Sequence, residues 1–184
     1  MRQPSSIMQK WLLNDDTLDI KMTAPHQIML PNGGRIDICS LYTARRIYKE
    51  YKWVVSLLDP DEDLGFTAND HHHYSVHDLE YHVSGYSFLT EKDLEDILSL
   101  SLSSGEKGLV HCHAGISRST AVGIMLAFKH GATLDTIRDG LDWRIASPNK
   151  LILEWSSLFF DQDLTIPVND WWVESLSKYK RETW

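Results

Sequence analysis

The chain has 184 residues, with 26 acidic and 18 basic side chains and a formal net charge of −8. This length suffices for one domain with a sizeable core, and an apolar fraction of 42% is ordinary for a globular protein. Because nucleic-acid binding depends largely on Lys and Arg that neutralise phosphates, the acidic charge argues against a nucleic-acid partner. Two cysteines, Cys39 and Cys112, are too few for a disulfide scaffold.

The sequence predicts no attachment to a membrane. No apolar run reaches the length of a membrane-spanning helix, and residues 1–6 lead into no apolar core of a signal peptide. We therefore expect a cytoplasmic location. Residues 1–34 are expected to pack on the domain as an extension, as an edge strand or loop, and a short helix over residues 7–13 is the alternative. The turn at residues 31–34, Pro-Asn-Gly-Gly, ends this segment.

From Arg35 onwards the hydrophobic pattern predicts strands that alternate with helices. The expected strands are Ile36–Cys39, Trp53–Leu58, His72–Val76 and Gly108–His111. The expected helices are Leu41–Lys52, one capped by Thr90, Ala121–Phe128, one running from Thr133 through Ile145, and one with Ser147 as cap and Pro148 at its first position. This order predicts an α/β protein with a central, mostly parallel, twisted sheet flanked by helices.

Two boundaries follow from these elements. Residues 35–163 are expected to form the main domain, and residues 164–184 a C-terminal tail. The tail is rich in tryptophan, and Trp171-Trp172-Val173 is expected to dock it on the domain, although a helix that binds a partner protein is an alternative.

The stretch Leu109–Thr120 carries the strongest chemical signal. It predicts a buried strand, a tight loop and the start of a helix, with Cys112 opening the loop and Arg118 closing it. Unpaired N–H groups at a helix N-terminus and in a curled loop bind anions, and a guanidinium grips two phosphate oxygens at once. Such a positive setting favours the nucleophilic thiolate form of a cysteine. The pattern indicates phosphoryl transfer through a cysteinyl-phosphate.

These residues resemble the signature of the cysteine-dependent protein tyrosine phosphatases, His-Cys-x-x-Gly-x-x-Arg-Ser/Thr. The five fixed positions are occupied by His111, Cys112, Gly115, Arg118 and Ser119. The loop sequence Ala-Gly-Ile-Ser-Arg-Ser at residues 114–119 is most similar to that of the dual-specificity branch and its bacterial relatives. The resemblance implies a tyrosine-phosphatase-like fold for residues 35–163 and an enzyme that needs no cofactor. The alternative is a buried cysteine beside a chance arginine.

The resemblance also implies roles for individual residues. Cys112, Arg118 and Ser119 are the implied catalytic residues, with the Ser119 hydroxyl hydrogen-bonding the sulfur when phosphate departs. His111 is implied to orient the loop from behind and to favour the thiolate. The implied phosphate-binding residues are those of the loop, namely His113, Ala114, Gly115, Ile116, Ser117 and Arg118.

A carboxylic acid should face this loop, because a leaving oxygen departs faster when an acid protonates it. In the family that the sequence resembles, an aspartate upstream of the cysteine has this role. Asp78 fits, since it follows the strand His72–Val76 and lies 34 positions before Cys112. Parallel strands bring their carboxyl ends to one edge of the sheet, which places Asp78 near the loop. The competing carboxylates are Asp59, Asp61, Asp63, Asp70 and Glu80.

Two alternatives concern the remaining reactive side chains. The histidines of residues 71–82, with His111 and His113, suggest a metal site, but no zinc-type spacing accompanies them and alternate strand residues face opposite ways. We therefore expect no metal. Cys39 is expected to be a small buried residue, with a protective disulfide to Cys112 as the alternative.

The substrate class is open at this point. In the superfamily that the sequence resembles, phosphatases of phosphoinositides and polyphosphates often have basic residues at the variable loop positions, and no lysine occupies them here. The resemblance therefore implies a phosphorylated protein as partner, with phosphotyrosine first and phosphoserine or phosphothreonine as further candidates. A small-molecule or lipid phosphate is an alternative substrate. A catalytically weak module that only binds phosphate is the alternative function. The sequence does not indicate an oligomeric state.

Overall fold

Five strands form one sheet in the structure, which is a computed structural model that describes residues 24–182. The strands are β1 (His26–Met29), β2 (Arg35–Ser40), β3 (Trp53–Leu58), β4 (His71–Ser75) and β5 (Lys107–Cys112). The helices of this part of the chain are α1 (Leu41–Ile47), α2 (Glu91–Ser99), α3 (Arg118–Lys129), α4 (Leu134–Asp139), α5 (Lys150–Phe160) and α6 (Thr165–Glu182). The alternative of a helix over residues 7–13 lies outside the described residues.

The strand order is β1-β2-β5-β3-β4, and every neighbouring pair is parallel except β1 with β2. This confirms the predicted central, mostly parallel sheet. β1 is an antiparallel edge strand, so part of the first 34 residues belongs to the sheet itself. β5 lies in the middle, and all six residues of β3 beside it are buried. Cys112 therefore ends the central strand, with strands on both sides of it.

The pleat sends neighbouring residues of β2 and β5 to opposite faces of the sheet. Cys112 lies on the face that carries Ile38 and Val110 and packs against α3. Cys39 lies on the other face with Leu109, under α1. Two separate core clusters result, one on each side of the sheet.

α3 is the buried helix that the sequence predicts. Its residues from Arg118 through Ala127 are all buried. The helix begins directly after the loop, so its first turn faces the carboxyl end of β5.

None of the helices within residues 24–182 has both the length and the apolar character needed to cross a lipid bilayer.

Three predicted helices are wrong in their bounds. α1 ends at Ile47, and a 3₁₀ turn over Tyr48–Glu50 follows it. α4 ends at Asp139 instead of running through Ile145, and the Gly140 carbonyl that follows accepts the Gln27 N–H of β1 at 3.1 Å.

The start of α5 also differs from the prediction. Its N-cap is Asn149, whose side chain accepts the Ile152 N–H, so neither Ser147 nor Pro148 has the predicted position. The cap oxygen of asparagine satisfies an N–H group that the first helical turn leaves unpaired.

The C-terminal residues 165–182 form the long helix α6. Trp171 packs edge-on against Trp143, with ring centroids 5.3 Å apart, and Val168 is buried. Trp172 and Val173, which were also expected to dock, are exposed. The helical period explains the difference, because consecutive residues point about 100° apart and cannot all face the domain.

Candidate active site

The sulfur of Cys112 lies at the carboxyl end of the central strand, among hydrogen-bond donors. Its Sγ is 3.2 Å from Ser119 Oγ and accepts the Gly115 N–H at 3.3 Å. Ser119 lies in the first turn of α3, so strand, loop and helix all meet at this one atom. Donors directed at a sulfur stabilise it as an anion.

Gly115 allows the loop to close around Cys112. Its φ is +76°, in the left-handed region that favours glycine. A Cβ built there would lie 2.6 Å from both the Cys39 carbonyl carbon and the Ser40 nitrogen. The loop therefore crosses the end of β2 at a distance that only glycine permits.

The loop carbonyls are bound from outside. His113 O accepts the Leu41 N–H at 3.1 Å, Ile116 O accepts the Ser147 N–H at 3.0 Å, and Ser117 O accepts the Asn149 N–H at 3.2 Å.

By contrast, the loop N–H groups of Ala114, Ile116 and Ser117 donate to no residue within the described chain. Carbonyls turned outward and N–H groups left unpaired are the arrangement of an anion-binding nest.

Arg118 is anchored through one of its nitrogens. Its Nη1 donates to the Val76 carbonyl at 2.6 Å and to Asp59 Oδ1 at 3.1 Å. Its Nε is buried and donates to none of the described residues, while Asp78 Oδ2 lies 3.9 Å from it. The guanidinium thus keeps a buried donor for an anion, and a planar guanidinium binds phosphate through two nitrogens of one edge.

Asp78 lies beside the loop. Its Oδ1 accepts the Ser117 hydroxyl at 2.6 Å and the Asn149 side-chain amide at 2.9 Å. About a third of the Asp78 side chain is exposed, so the carboxyl group reaches both the loop and solvent. The structure therefore brings Asp78, Ser117 and Arg118 together at the edge of the sheet.

Asp59 is the competing carboxylate that also reaches Arg118. It follows β3, and its Oδ1 accepts Arg118 Nη1. Two other competitors are engaged elsewhere: Asp63 accepts the Gly65 N–H, and Asp70 pairs with His72 at 2.9 Å.

His111 lies behind the loop, on the sheet face opposite Cys112. Its Nε2 is 2.6 Å from Ser56 Oγ, which in turn is 2.8 Å from His71 Nε2. The Ala68 N–H donates to His71 Nδ1 at 3.4 Å. A neutral His71 then donates from Nε2 to Ser56, and Ser56 donates to His111. The remaining hydrogen of His111 is thereby assigned to Nδ1, on the side away from Ser56.

Burial lowers the pKa of His111 to about 3. The ring is therefore neutral at neutral pH and presents no positive charge to the loop.

His113 lies on the rim and is two-thirds exposed. Its Nδ1 contacts Glu62 Oε1, and the other oxygen of Glu62 accepts the Asp59 N–H at 2.9 Å. This pair connects the loop to the segment after β3.

Among the described residues, no three His, Cys, Asp or Glu side chains are grouped so that they could hold a metal ion.

Cys39 and Cys112 lie on opposite faces of the sheet, because Cys39 pairs in register with His111 and Ser40 with Cys112. Neither forms a disulfide. A bond between them needs a rearranged backbone, which argues against the protective disulfide.

Comparisons with known proteins support the fold. No family model matches the chain, and no curated protein is similar to it in sequence. A human tyrosine phosphatase-like serine/threonine/tyrosine-interacting protein matches with a TM-score of 0.53 and 16% identity, over 73% of this chain and 95% of that one. The PTP-2 phosphatase of Cydia pomonella matches with a TM-score of 0.51 and 20% identity, over 73% and 88%. The chain therefore has the tyrosine-phosphatase fold that the signature residues implied.

Two residues of the site were missed at the level of sequence. Ser56 is a polar residue inside the apolar run of β3, and its burial was a signal that it has a partner. Asn149 is a preferred N-cap residue directly before an apolar helix. The partners of both residues come from distant parts of the chain, so their identity could not be predicted.

Proposed function

We propose that this chain is a phosphatase that hydrolyses phosphate monoesters through a cysteinyl-phosphate on Cys112. The observation that carries the proposal is that Ser119 and the Gly115 N–H contact one sulfur, in a loop whose N–H groups at Ala114, Ile116 and Ser117 donate to none of the described residues. Arg118 and Asp78 lie at the same edge of the sheet. The arrangement combines a nucleophile, an anion nest and an acid within one site.

In the first step, the Cys112 thiolate attacks phosphorus and the bond from phosphorus to the leaving oxygen breaks. Arg118 and the loop N–H groups hold the three equatorial oxygens, where the transition-state charge is spread. Asp78 gives its proton to the leaving oxygen, which departs as an alcohol or phenol.

In the second step, a water molecule attacks the phosphorus of the cysteinyl-phosphate. The ionised Asp78 takes the proton of that water, so the acid is restored. The sulfur–phosphorus bond breaks, and the sulfur leaves as a thiolate that Ser119 and the Gly115 N–H stabilise. Inorganic phosphate is released.

The proposed substrate is a phosphorylated protein, with phosphotyrosine first and phosphoserine or phosphothreonine as further candidates. The loop carries no lysine that would favour a polyphosphorylated ligand.

The test is the release of p-nitrophenol from p-nitrophenyl phosphate in the presence of EDTA, for wild type and Cys112→Ser. Turnover that survives EDTA and is lost in Cys112→Ser supports the proposal, as does a covalent phosphoryl adduct on the trapped wild-type protein. Turnover that Cys112→Ser retains would overturn it. Binding of vanadate without any turnover would favour the phosphate-binding module, and a phosphopeptide panel compares tyrosine with serine and threonine.

A further inference from the structure

Asn149 connects the candidate acid to the phosphate-binding loop. Its side chain is 2% exposed, and its Nδ2 donates to Asp78 Oδ1 at 2.9 Å and to the Leu79 carbonyl at 3.1 Å. Its Oδ1 accepts the Ile152 N–H at 3.1 Å, and its backbone N–H donates to Ser117 O at 3.2 Å. One buried residue thus contacts the acid, the segment after it, the loop and the first turn of α5.

The two oxygens of Asp78 have different surroundings. Oδ1 accepts two hydrogen bonds, from Ser117 Oγ and from Asn149 Nδ2. Oδ2 accepts no hydrogen bond from the described residues, and it lies on the side of Arg118, 3.9 Å from Nε. An oxygen that already accepts two short hydrogen bonds has little remaining room for a proton of its own. The proton of the acid therefore belongs on Oδ2, which is the oxygen on the side of the phosphate-gripping arginine.

We propose that Asn149 is the positioning residue of Asp78: together with Ser117 it holds Oδ1 and so directs the protonated Oδ2 at the leaving oxygen. This inference rests on the proposed function, since it assigns a residue that prepares the acid for the first step. Asn149 makes no hydrogen bond to Cys112 or Arg118 among the described residues, so it acts through Asp78. An acid that is misplaced by about 1 Å can lose about 100-fold in rate, so a buried clamp on the acid has a measurable effect.

The test compares two substrates that differ in their need for an acid. Phenyl phosphate has a basic leaving group that requires protonation, whereas 2,4-dinitrophenyl phosphate has a weakly basic one that departs without it. Asn149→Ser retains an oxygen that can cap α5 but removes both amide donors, and it adds no charge. We expect kcat/KM to fall about 10-fold or more on phenyl phosphate and by less than about threefold on 2,4-dinitrophenyl phosphate.

Two further variants separate positioning from folding. Asn149→Asp also retains a capping oxygen but turns a carboxylate oxygen towards Asp78, so the ratio between the two substrates should change at least as much as in Asn149→Ser. Ser156→Ala removes another buried hydrogen bond of α5, from Ser156 Oγ to the Ile152 carbonyl, without touching Asp78. It should leave the ratio unchanged.

The decisive measurement is a double-mutant cycle. In an Asp78→Ala background, adding Asn149→Ser should change kcat/KM on phenyl phosphate by less than about twofold, because residues that act through one another are not additive. An equal loss on both substrates, or full additivity with Asp78→Ala, would overturn the inference while leaving the proposed function intact. Failure of the proposed function itself is recognised separately, by turnover that Cys112→Ser retains.

Discussion

The two cysteines of the chain are both buried at the ends of adjacent parallel strands, yet their surroundings differ. Cys39 lies among Ala44, Val54 and Leu109, and burial raises the pKa of its thiol strongly. Cys112, on the other face, lies 3.2 Å from a hydroxyl group and accepts a backbone N–H. The two sulfurs are almost equally buried but differ in the hydrogen-bonding groups around them. Because such donors favour the thiolate, burial alone does not define the chemical setting of a thiol.

The strongest test of the difference between the two cysteines is to remove each sulfur in turn. We expect Cys112→Ser to lower kcat on p-nitrophenyl phosphate by at least about 1,000-fold, because the nucleophile is lost. Cys39→Ala should keep kcat within about threefold and lower the free energy of unfolding by about 1–2 kcal/mol, as expected for a small truncation in the core. Steady-state kinetics and urea denaturation of both variants measure these effects. Equal losses of activity would contradict the contrast between the two sites.

The next prediction concerns Arg118, the arginine that closes the loop after Cys112. Arg118→Lys should lower kcat/KM by about 100-fold and weaken inhibition by vanadate, because an ammonium group cannot bind two phosphate oxygens in one plane. It also loses the simultaneous contact with Val76 and Asp59. Initial rates and vanadate inhibition constants measure the change. Arg45→Lys is the matched control, since Arg45 bonds two backbone carbonyls in the neighbouring loop and should leave both quantities unchanged.

The third prediction concerns Gly115, because this residue packs the loop that follows Cys112 against the backbone of Cys39. Gly115→Ala should lower the free energy of unfolding by about 3 kcal/mol, from a strained positive φ and from the 2.6 Å contact with the Cys39 carbonyl carbon. Gly105→Ala isolates the first effect, because Gly105 has φ +77° but open space around it. It should cost about 1 kcal/mol. Similar losses in urea denaturation would show that the close contact is relieved by movement of the loop.

The last prediction concerns His111, which lies on the same face of the sheet as Cys39 and acts on stability only as the pH falls. Its folded pKa is about 3, well below the ordinary 6.5, so the unfolded chain binds a proton that the folded chain excludes. Its contribution to stability is complete above about pH 6.5 and falls as the pH drops towards 3, by up to about 1.4 kcal/mol per pH unit.

His111→Asn should therefore flatten the pH dependence of the free energy of unfolding in this range. Urea denaturation at several pH values measures the slope, and His72→Asn, at an exposed ion pair, is the control. An unchanged slope in His111→Asn would contradict a neutral, buried ring.

Much of the fold could be predicted from local pattern. The buried run Trp53–Leu58 and the apolar helix after the loop required only periodicity and length. The bounds of α4 could not be predicted, because the carbonyl of Gly140 after it accepts the N–H of Gln27, which is more than a hundred positions away in the chain. Trp172 was expected to dock but is exposed, because side-chain direction depends on the exact phase of α6.

The sequence by itself determined the order of strands and helices and the chemical character of the loop. Cys112, Gly115, Arg118 and Ser119 are close in the chain, and local geometry alone brings them around one point. Only the tertiary structure decided which carboxylates reach Arg118, that Ser56 and His71 lie behind His111, and that Asn149 holds Asp78. These partners come from separate segments, and their distances depend on strand register and helix packing, which no local pattern specifies.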